Sequence, residues 1–387
     1  MLKRDLIQYL GTLFTRGFAK LFWMFPVQTN KVVFTSFIGK QHSCNPLYIQ
    51  KYLEEKYPNK FELIWFLRNN PQEYSNAIKF LSLKHFYHFC TARVIVDNGG
   101  MPTYMPKRKT QYVINTWHGG GAYKRGSELN QYSKYRIYLE KYKGKNTDLF
   151  LSSCEEFTRQ AIPDILLNYS GEIMPCGCPR NDIFWSTNEK KLELKDKIHK
   201  IFSIPKDVLI VLFAPTFREF KKAHYKFNQQ IKWENILKAI ETRFDRKTVV
   251  VFRAHNYMSQ YDIGKVIDAT FYPDMQELLC AADILISDYS STIWDFSFTK
   301  KPCFLYCPDL DYYLNQDRGV YTPVETWPGV LCRTNEELEQ AILNFDESKY
   351  LNKVEKHHVN LGSYENGSAC EQVCKRIAEV CGIERVQ

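Results

Sequence analysis

Residues 186–217 read STNEKKLELKDKIHKIFSIPKDVLIVLFAPTF, and the organisation of the whole chain turns on them. The first part, 186–206, is lysine-rich with apolar residues at helical spacing, the pattern of a solvated surface helix at a domain boundary. The second part, VLIVLFAPTF (208–217), is a continuous apolar run closed by polar residues, the pattern of a strand buried on both faces. Upstream lie VVFTSF (32–37), FELIWFL (61–67), ARVIVDN (92–98), YVINTW (112–117) and DLFLSS (148–153). Downstream follow TVVVFRAH (248–255), DILISDYSS (283–291) and KPCFLYCPD (301–309). Apolar strands alternating with helical segments, once on each side of 186–206, imply an α/β protein of two Rossmann-like domains whose parallel sheets face a central cleft. The expected division is a segment over 1–27, a first domain over 28–185 and a second over 186–387.

A length of 387 residues agrees with two domains of roughly 150–200 residues each. Apolar residues at 44% and charged residues at 25% exclude a disordered chain. Lys and Arg outnumber Asp and Glu, 52 to 43, and the net charge of +9 suits an anionic partner: a membrane surface, a phosphorylated substrate or nucleic acid. Nucleic acid is disfavoured, because no concentrated basic helix or base-reading motif is present. Twelve scattered cysteines follow no secretory leader, and Cys176 and Cys178 lack a second pair at zinc spacing. They are read as reduced, mostly buried thiols.

The opening segment MLKRDLIQYLGTLFTRGFAKLFWMFP carries Leu6, Leu10, Leu13, Phe14, Phe18, Leu21 and Phe25 at helical spacing. Lys3, Arg4, Arg16 and Lys20 interrupt any run near the ~20 apolar residues needed to span a bilayer. Two uses remain: an amphipathic helix lying in the membrane surface, or a helix packed on the first domain. The basic and aromatic character favours the membrane.

In parallel sheets of this kind ligands bind beyond the carboxyl ends of the strands, which selects the residues that follow each run. His118 in TWHGGGA (116–122) is the candidate general base, since imidazole titrates near ~6.5. Gly119, Gly120 and Gly121 behind it would let backbone amides approach a phosphate, and Lys124 and Arg125 follow. Neither the G-x-G-x-x-G fingerprint nor the P-loop lysine signature is present. APTFRE places Thr216 and Arg218 after a strand, and an arginine there can fork onto phosphate; a solvated arginine is the plainer alternative. FRAH supplies Arg253, Ala254 and His255, a second histidine at a matching position. In ISDYSSTIWDF, Ser290 and Ser291 stand where a helix begins, either as phosphate donors or as ordinary caps, with Asp288 and Asp295 alongside.

NTWHGGGAYKRG, DLFLSS, CGCPRND, LFAPTFRE, FRAH, ISDYSSTIWDF and KPCFLYCPDLDYY occur in the order seen in CDP-glycerol glycerophosphotransferases, the enzymes of teichoic-acid and polyol-phosphate capsule synthesis. The resemblance covers roughly residues 30–380. It implies a GT-B fold, with an acceptor-side first domain and a CDP-polyol-binding second domain. It also implies transfer of glycerol phosphate from CDP-glycerol, or another CDP-polyol, to a hydroxyl of a lipid-linked saccharide or growing polymer, with release of CMP at the cytoplasmic membrane face. By the same resemblance His118 and His255 are the essential histidines. Donor contacts fall on Gly119, Gly120, Gly121, Ala122, Arg180, Thr216, Arg218, Arg253, Ala254, Ser290, Ser291 and Asp295. No resident cofactor is implied, and Mg2+ stays open only as a companion of the nucleotide. Gly120 and Gly121 depart from the threonine and proline common in the family, and Asn256 stands where a proline is usual. A GT-B glycosyltransferase using a nucleotide sugar is the competing enzyme class, and a catalytically silent membrane scaffold the competing non-enzyme.

Overall fold

The structure is a computed structural model that describes residues 3–125, 133–216, 231–253, 266–317 and 319–384. The chain forms two compact units: one of 1–119, 126–182 and 364–387, the other of 120–125 and 183–363.

The first unit is built on a seven-stranded parallel sheet in the order β3-β2-β1-β4-β5-β6-β7. The strands are β1 (Gln28–Thr35), β2 (Glu62–Leu67), β3 (Ala77–Lys79), β4 (Ala92–Asp97), β5 (Tyr112–Asn115), β6 (Leu149–Ser152) and β7 (Glu172–Pro175). Side chains of alternate parity leave opposite faces of a strand. Val32 and Phe34 of β1 therefore join one core with helix Cys44–Lys56, while Val33 joins another with Phe86 and Phe89 of helix Leu83–Thr91. Burial on both faces is why these strands read as unbroken apolar runs.

The second unit has six parallel strands in the order β10-β9-β8-β11-β12-β13. They are β8 (Leu209–Phe213), β9 (Thr248–Phe252), β10 (Ile267–Asp268), β11 (Ile284–Ser287), β12 (Cys303–Tyr306) and β13 (Val330–Cys332). Both sheets thus run outward in two directions from a central pair, β1/β4 in one and β8/β11 in the other. The crevice beyond the carboxyl ends of such a pair is where doubly wound sheets bind ligands.

Two boundaries differ from the sequence expectation. Helix Ala369–Cys381 lies within the range 186–387 assigned to the second domain, yet it belongs to the first unit. Its apolar stripe, Ala369, Val373, Cys374, Ile377, Ala378 and Cys381, completes the core under β1 and helix Cys44–Lys56. The Asp182 carboxylate accepts the Ala369 and Cys370 N–H groups at 3.1 and 2.7 Å and caps that helix. Residues 120–125, expected in the first domain, belong to the second unit.

Helix Lys3–Lys20 packs on the first unit and leaves an apolar row exposed. One face packs on the first unit: Thr12 Oγ1 and Tyr135 OH lie 2.8 Å apart, Arg16 Nε donates to the Thr103 carbonyl at 2.7 Å, and Phe18 meets Phe86 edge-on. Arg16 is therefore buried, with its guanidinium over the Tyr142 ring. Leu6, Ile7, Leu10, Leu13 and Phe14 stay exposed, followed by Leu21, Met24 and Phe25. No helix among the described residues is long and apolar enough to cross a membrane. All twelve cysteines are buried free thiols.

Candidate active site

In the first unit, Thr35, Asp97 and Asn115 sit side by side in register at the carboxyl ends of β1, β4 and β5. The chain leaves β5 through Thr116 and Trp117, and Trp117 takes the left-handed conformation (φ 50°) that turns His118 outward. His118 is exposed, and its Nδ1 lies 2.7 Å from the Asn98 carbonyl oxygen. A carbonyl only accepts, so Nδ1 carries the proton and the lone pair of the neutral ring sits on Nε2. Phe37 and Trp117 flank the ring at centroid distances of 5.5 and 4.4 Å. Arg180 is buried in the same unit, its backbone N–H on Asn45 Oδ1 at 3.0 Å and its Nη1 3.6 Å from Cys44 Sγ.

Asp97 is buried beside this turn, and the Gly99 N–H donates to its Oδ1 at 2.5 Å. Loss of solvent pushes its carboxyl up to about 7, against the pull of the Gly99 and Gly100 backbone and the Lys143 charge.

In the second unit the gathering point is Asp288, fully buried just beyond β11. Its Oδ1 accepts the Thr216 N–H at 2.8 Å, the Thr216 hydroxyl at 2.6 Å and the Tyr289 N–H at 2.6 Å. Lys124 Nζ donates to Thr216 Oγ1 at 3.3 Å, which brings a cation to the β8/β11 switch point. Ser290 Oγ accepts the Thr292 N–H and hydroxyl at 3.3 and 2.9 Å, so it caps its own short helix, Thr292–Ser297, with Ser291 at the N-cap. Asp295 is buried and accepts Gln276 Nε2 at 2.8 Å. Arg253 donates through Nη1 to the Tyr272 carbonyl; burial draws its guanidinium down to about 10, opposed by Asp274 and Tyr272, which leaves it cationic at neutral pH. Arg218, Ala254 and His255 lie outside the described residues.

Two of the glycines pack against the protein itself. A Cβ on Gly120 would overlap the Trp294 indole, and Gly121 has φ +64° with Trp294 and Tyr123 against it. The close approach that excludes side chains here is to a buried indole. Ala122 is fully buried in the same unit, while Gly119 is half-buried at the end of the first. The segment 120–125 is held along its length. Tyr321 N–H reaches the Tyr123 carbonyl at 2.8 Å, Arg125 N–H the Gly319 carbonyl at 2.9 Å, and Tyr123 OH lies 2.9 Å from His357 Nε2. Burial holds His357 far below the usual imidazole range, at about 3, so it is neutral.

Sequence reasoning missed Asn45, Asn98, Tyr123 and His357. Asn98 closes an apolar run and could have been flagged as a strand-end residue; nothing local marks the others.

Two sheets wound outward from a central pair, each with polar groups gathered at the switch point, define a GT-B-like α/β fold. The chain belongs to the CDP-glycerol:poly(glycerophosphate) glycerophosphotransferase family, whose model matches residues 17–379. It is 28% identical over 387 residues to the teichoic acid poly(glycerol phosphate) polymerase of Bacillus spizizenii, covering 92% of this chain and 94% of that one. To the teichoic acid glycerol-phosphate transferase of Staphylococcus aureus it is 26% identical, covering 90% and 92%. It is 29% identical to the Bacillus subtilis polymerase, over 94% of this chain but 51% of that protein, so it spans about half the length of that relative. A structure of the wall teichoic acid polymerase TagF superposes with a TM-score of 0.81 at 24% identity, over 98% of this chain and 97% of that one, and carries the fold. The glycerophosphate-transferase expectation is supported over a nucleotide-sugar glycosyltransferase.

Proposed function

We propose that this chain transfers glycerol phosphate from CDP-glycerol to a hydroxyl of a lipid-linked saccharide or growing polyol-phosphate chain. The acceptor oxygen attacks the glycerol-bearing β-phosphorus, the bond to the bridging oxygen breaks, and CMP leaves with the α-phosphate. The acceptor proton passes to Nε2 of His118. Phosphoryl transfer asks mainly for positioning and charge stabilisation, which Lys124 and the Thr216 hydroxyl would offer the diphosphate.

The observation that carries this reading is the His118–Asn98 bond, which leaves Nε2 as the basic nitrogen of a solvent-facing ring beyond a strand end. General-base catalysis supplies about 10²–10⁴ in rate. His118→Ala in the full chain is therefore expected to slow CMP release from CDP-glycerol by about that factor. Near-normal turnover would sink the base assignment.

The acceptor class and the exposed row on helix Lys3–Lys20 support peripheral attachment to the cytoplasmic membrane face. Phe14 is 76% exposed and Met24 80%, and a contiguous apolar row of this kind marks an interaction surface. Leu10→Asp with Phe14→Asp is expected to release the full-length protein from anionic vesicles in a sedimentation assay while leaving its circular dichroism intact. Unchanged partition would remove the helix from this role.

A further inference from the structure

We infer that Asn45 and Asn98 are positioning residues that fix the direction and tautomer of His118, an inference that rests on the proposed role of that histidine. Trp117 sits at φ 50°, a left-handed conformation that is unfavourable for a bulky residue and persists only where its surroundings enforce it. The enforcing groups are side-chain amides. Asn115 Oδ1 accepts the Trp117 N–H at 2.9 Å. Asn45 Nδ2 donates to the Thr116 and Trp117 carbonyls, both at 3.0 Å, so one amide holds the two peptides that precede His118. Asn45 is fully buried and its Oδ1 accepts the Arg180 N–H at 3.0 Å. The orientation of that amide follows from chemistry, since two carbonyls face its nitrogen and an N–H faces its oxygen.

Asn98 completes the frame from the other side. Its side chain is fully buried and bridges the ends of β4 and β1, with Oδ1 accepting the Phe37 N–H at 2.7 Å and Nδ2 donating to Ser36 Oγ at 2.9 Å. Its own carbonyl is the acceptor for His118 Nδ1 at 2.7 Å. The side-chain bonds of Asn98 thereby aim the carbonyl that selects the tautomer. Asn45 aims the backbone that carries the ring.

Each amide can be removed separately. In Asn98→Ala the Phe37 N–H loses its acceptor and the Ser36 hydroxyl loses its donor. In Asn45→Asp the oxygen that replaces Nδ2 would face two carbonyls, neither of which can donate.

The test uses the full-length protein with 15N-labelled histidine, the His118 ring signals being assigned by their loss in His118→Gln. The wild-type chain is expected to show His118 protonated at Nδ1. Asn45→Asp and Asn45→Ser should lose that signature and lower kcat by about 10²-fold, the scale of a small misplacement of a catalytic group, with little change in KM for CDP-glycerol. Asn98→Ala, which removes both side-chain bonds of that residue, should likewise lose the signature and lower kcat; Asn45→Ser keeps the test alive if Asn45→Asp does not fold, and a folded Asn98→Ala with signature and kcat intact would remove Asn98 from the frame. Folded Asn45 variants with an intact Nδ1–H signature, or with unchanged kcat, would overturn the inference. A fully active His118→Gln would instead overturn the parent reading, and with it the catalytic meaning of both amides, whereas the ring signals read the geometry without reference to turnover.

Discussion

The two sheets share a winding order but end in different chemistry. Beyond β4 and β5 in the first unit, side-chain amides organise the turn: Asn45, Asn98 and Asn115 hold peptide groups around His118. Beyond β8 and β11 in the second unit a carboxylate does so, with Asp288 Oδ1 collecting two N–H groups and a hydroxyl. Each unit buries an acid at the end of the strand that follows its switch point, Asp97 after β4 and Asp288 after β11. Neutral amides orient an imidazole without altering its charge. The buried carboxylate and Lys124 meet on the same Thr216 hydroxyl and make that corner a charged one.

The largest expected effect on this contrast concerns Asp97. Its carboxyl is raised from 3.8 to about 7 by burial, so the folded state holds a proton that the unfolded chain has released. The stabilising contribution is fully present below about pH 4 and is lost as pH rises through about 7, a range worth a few kcal/mol. Asp97→Asn keeps an acceptor for the Gly99 N–H and removes the titration. Melting temperature plotted against pH is expected to flatten between about 4 and 7, with the variant the more stable above that window. An unchanged slope would mean that Asp97 is solvated like a surface acid, and the contrast between the two strand ends would lose one side.

A smaller effect tests the glycines. Gly120 is the first residue of the second unit, and a methyl there would collide with Trp294, itself fully buried. Overpacking of this sort costs about 1–3 kcal/mol. Gly120→Ala is expected to lower stability to denaturant by that amount, and Trp294→Phe in the same chain to recover part of it. A loss of CDP-glycerol binding at unchanged stability would instead favour a phosphate as the close neighbour, as the sequence suggested.

The packing of Gly120 on Trp294 shows what local sequence carries. The strand runs were legible because burial on both faces makes them continuously apolar, and their polar ends located His118, Thr216 and the segment around Asp288. The short strands β3, β7, β10 and β13 were not, since two to four residues at an edge carry no period. The C-terminal helix was assigned to the wrong unit because an amphipathic stripe states that it will be buried but not against what. The same holds for TWHGGGA: the glycines announce a close approach, and only the fold supplies the indole against Gly120 and Gly121. Asn45 is invisible for a related reason, because its partners lie in Thr116, Trp117 and Arg180, far away in sequence.

The smallest effect belongs to Thr216, whose hydroxyl lies between Lys124 Nζ and the Asp288 carboxylate. Thr216→Val keeps the shape and removes the hydroxyl, while the Thr216 and Tyr289 N–H groups remain on Asp288 Oδ1. A single hydrogen bond contributes about 0.5–1.5 kcal/mol net, so KM for CDP-glycerol is expected to rise by roughly twofold to tenfold with kcat little changed. Thr216→Ser should restore it. A fall in kcat at constant KM would put this hydroxyl on the reacting atoms and blur the division of labour between the two strand ends. No change in either constant would leave the hydroxyl as wiring for Asp288 alone. The amide end and the carboxylate end would then differ in how they hold the backbone more than in what they offer the donor.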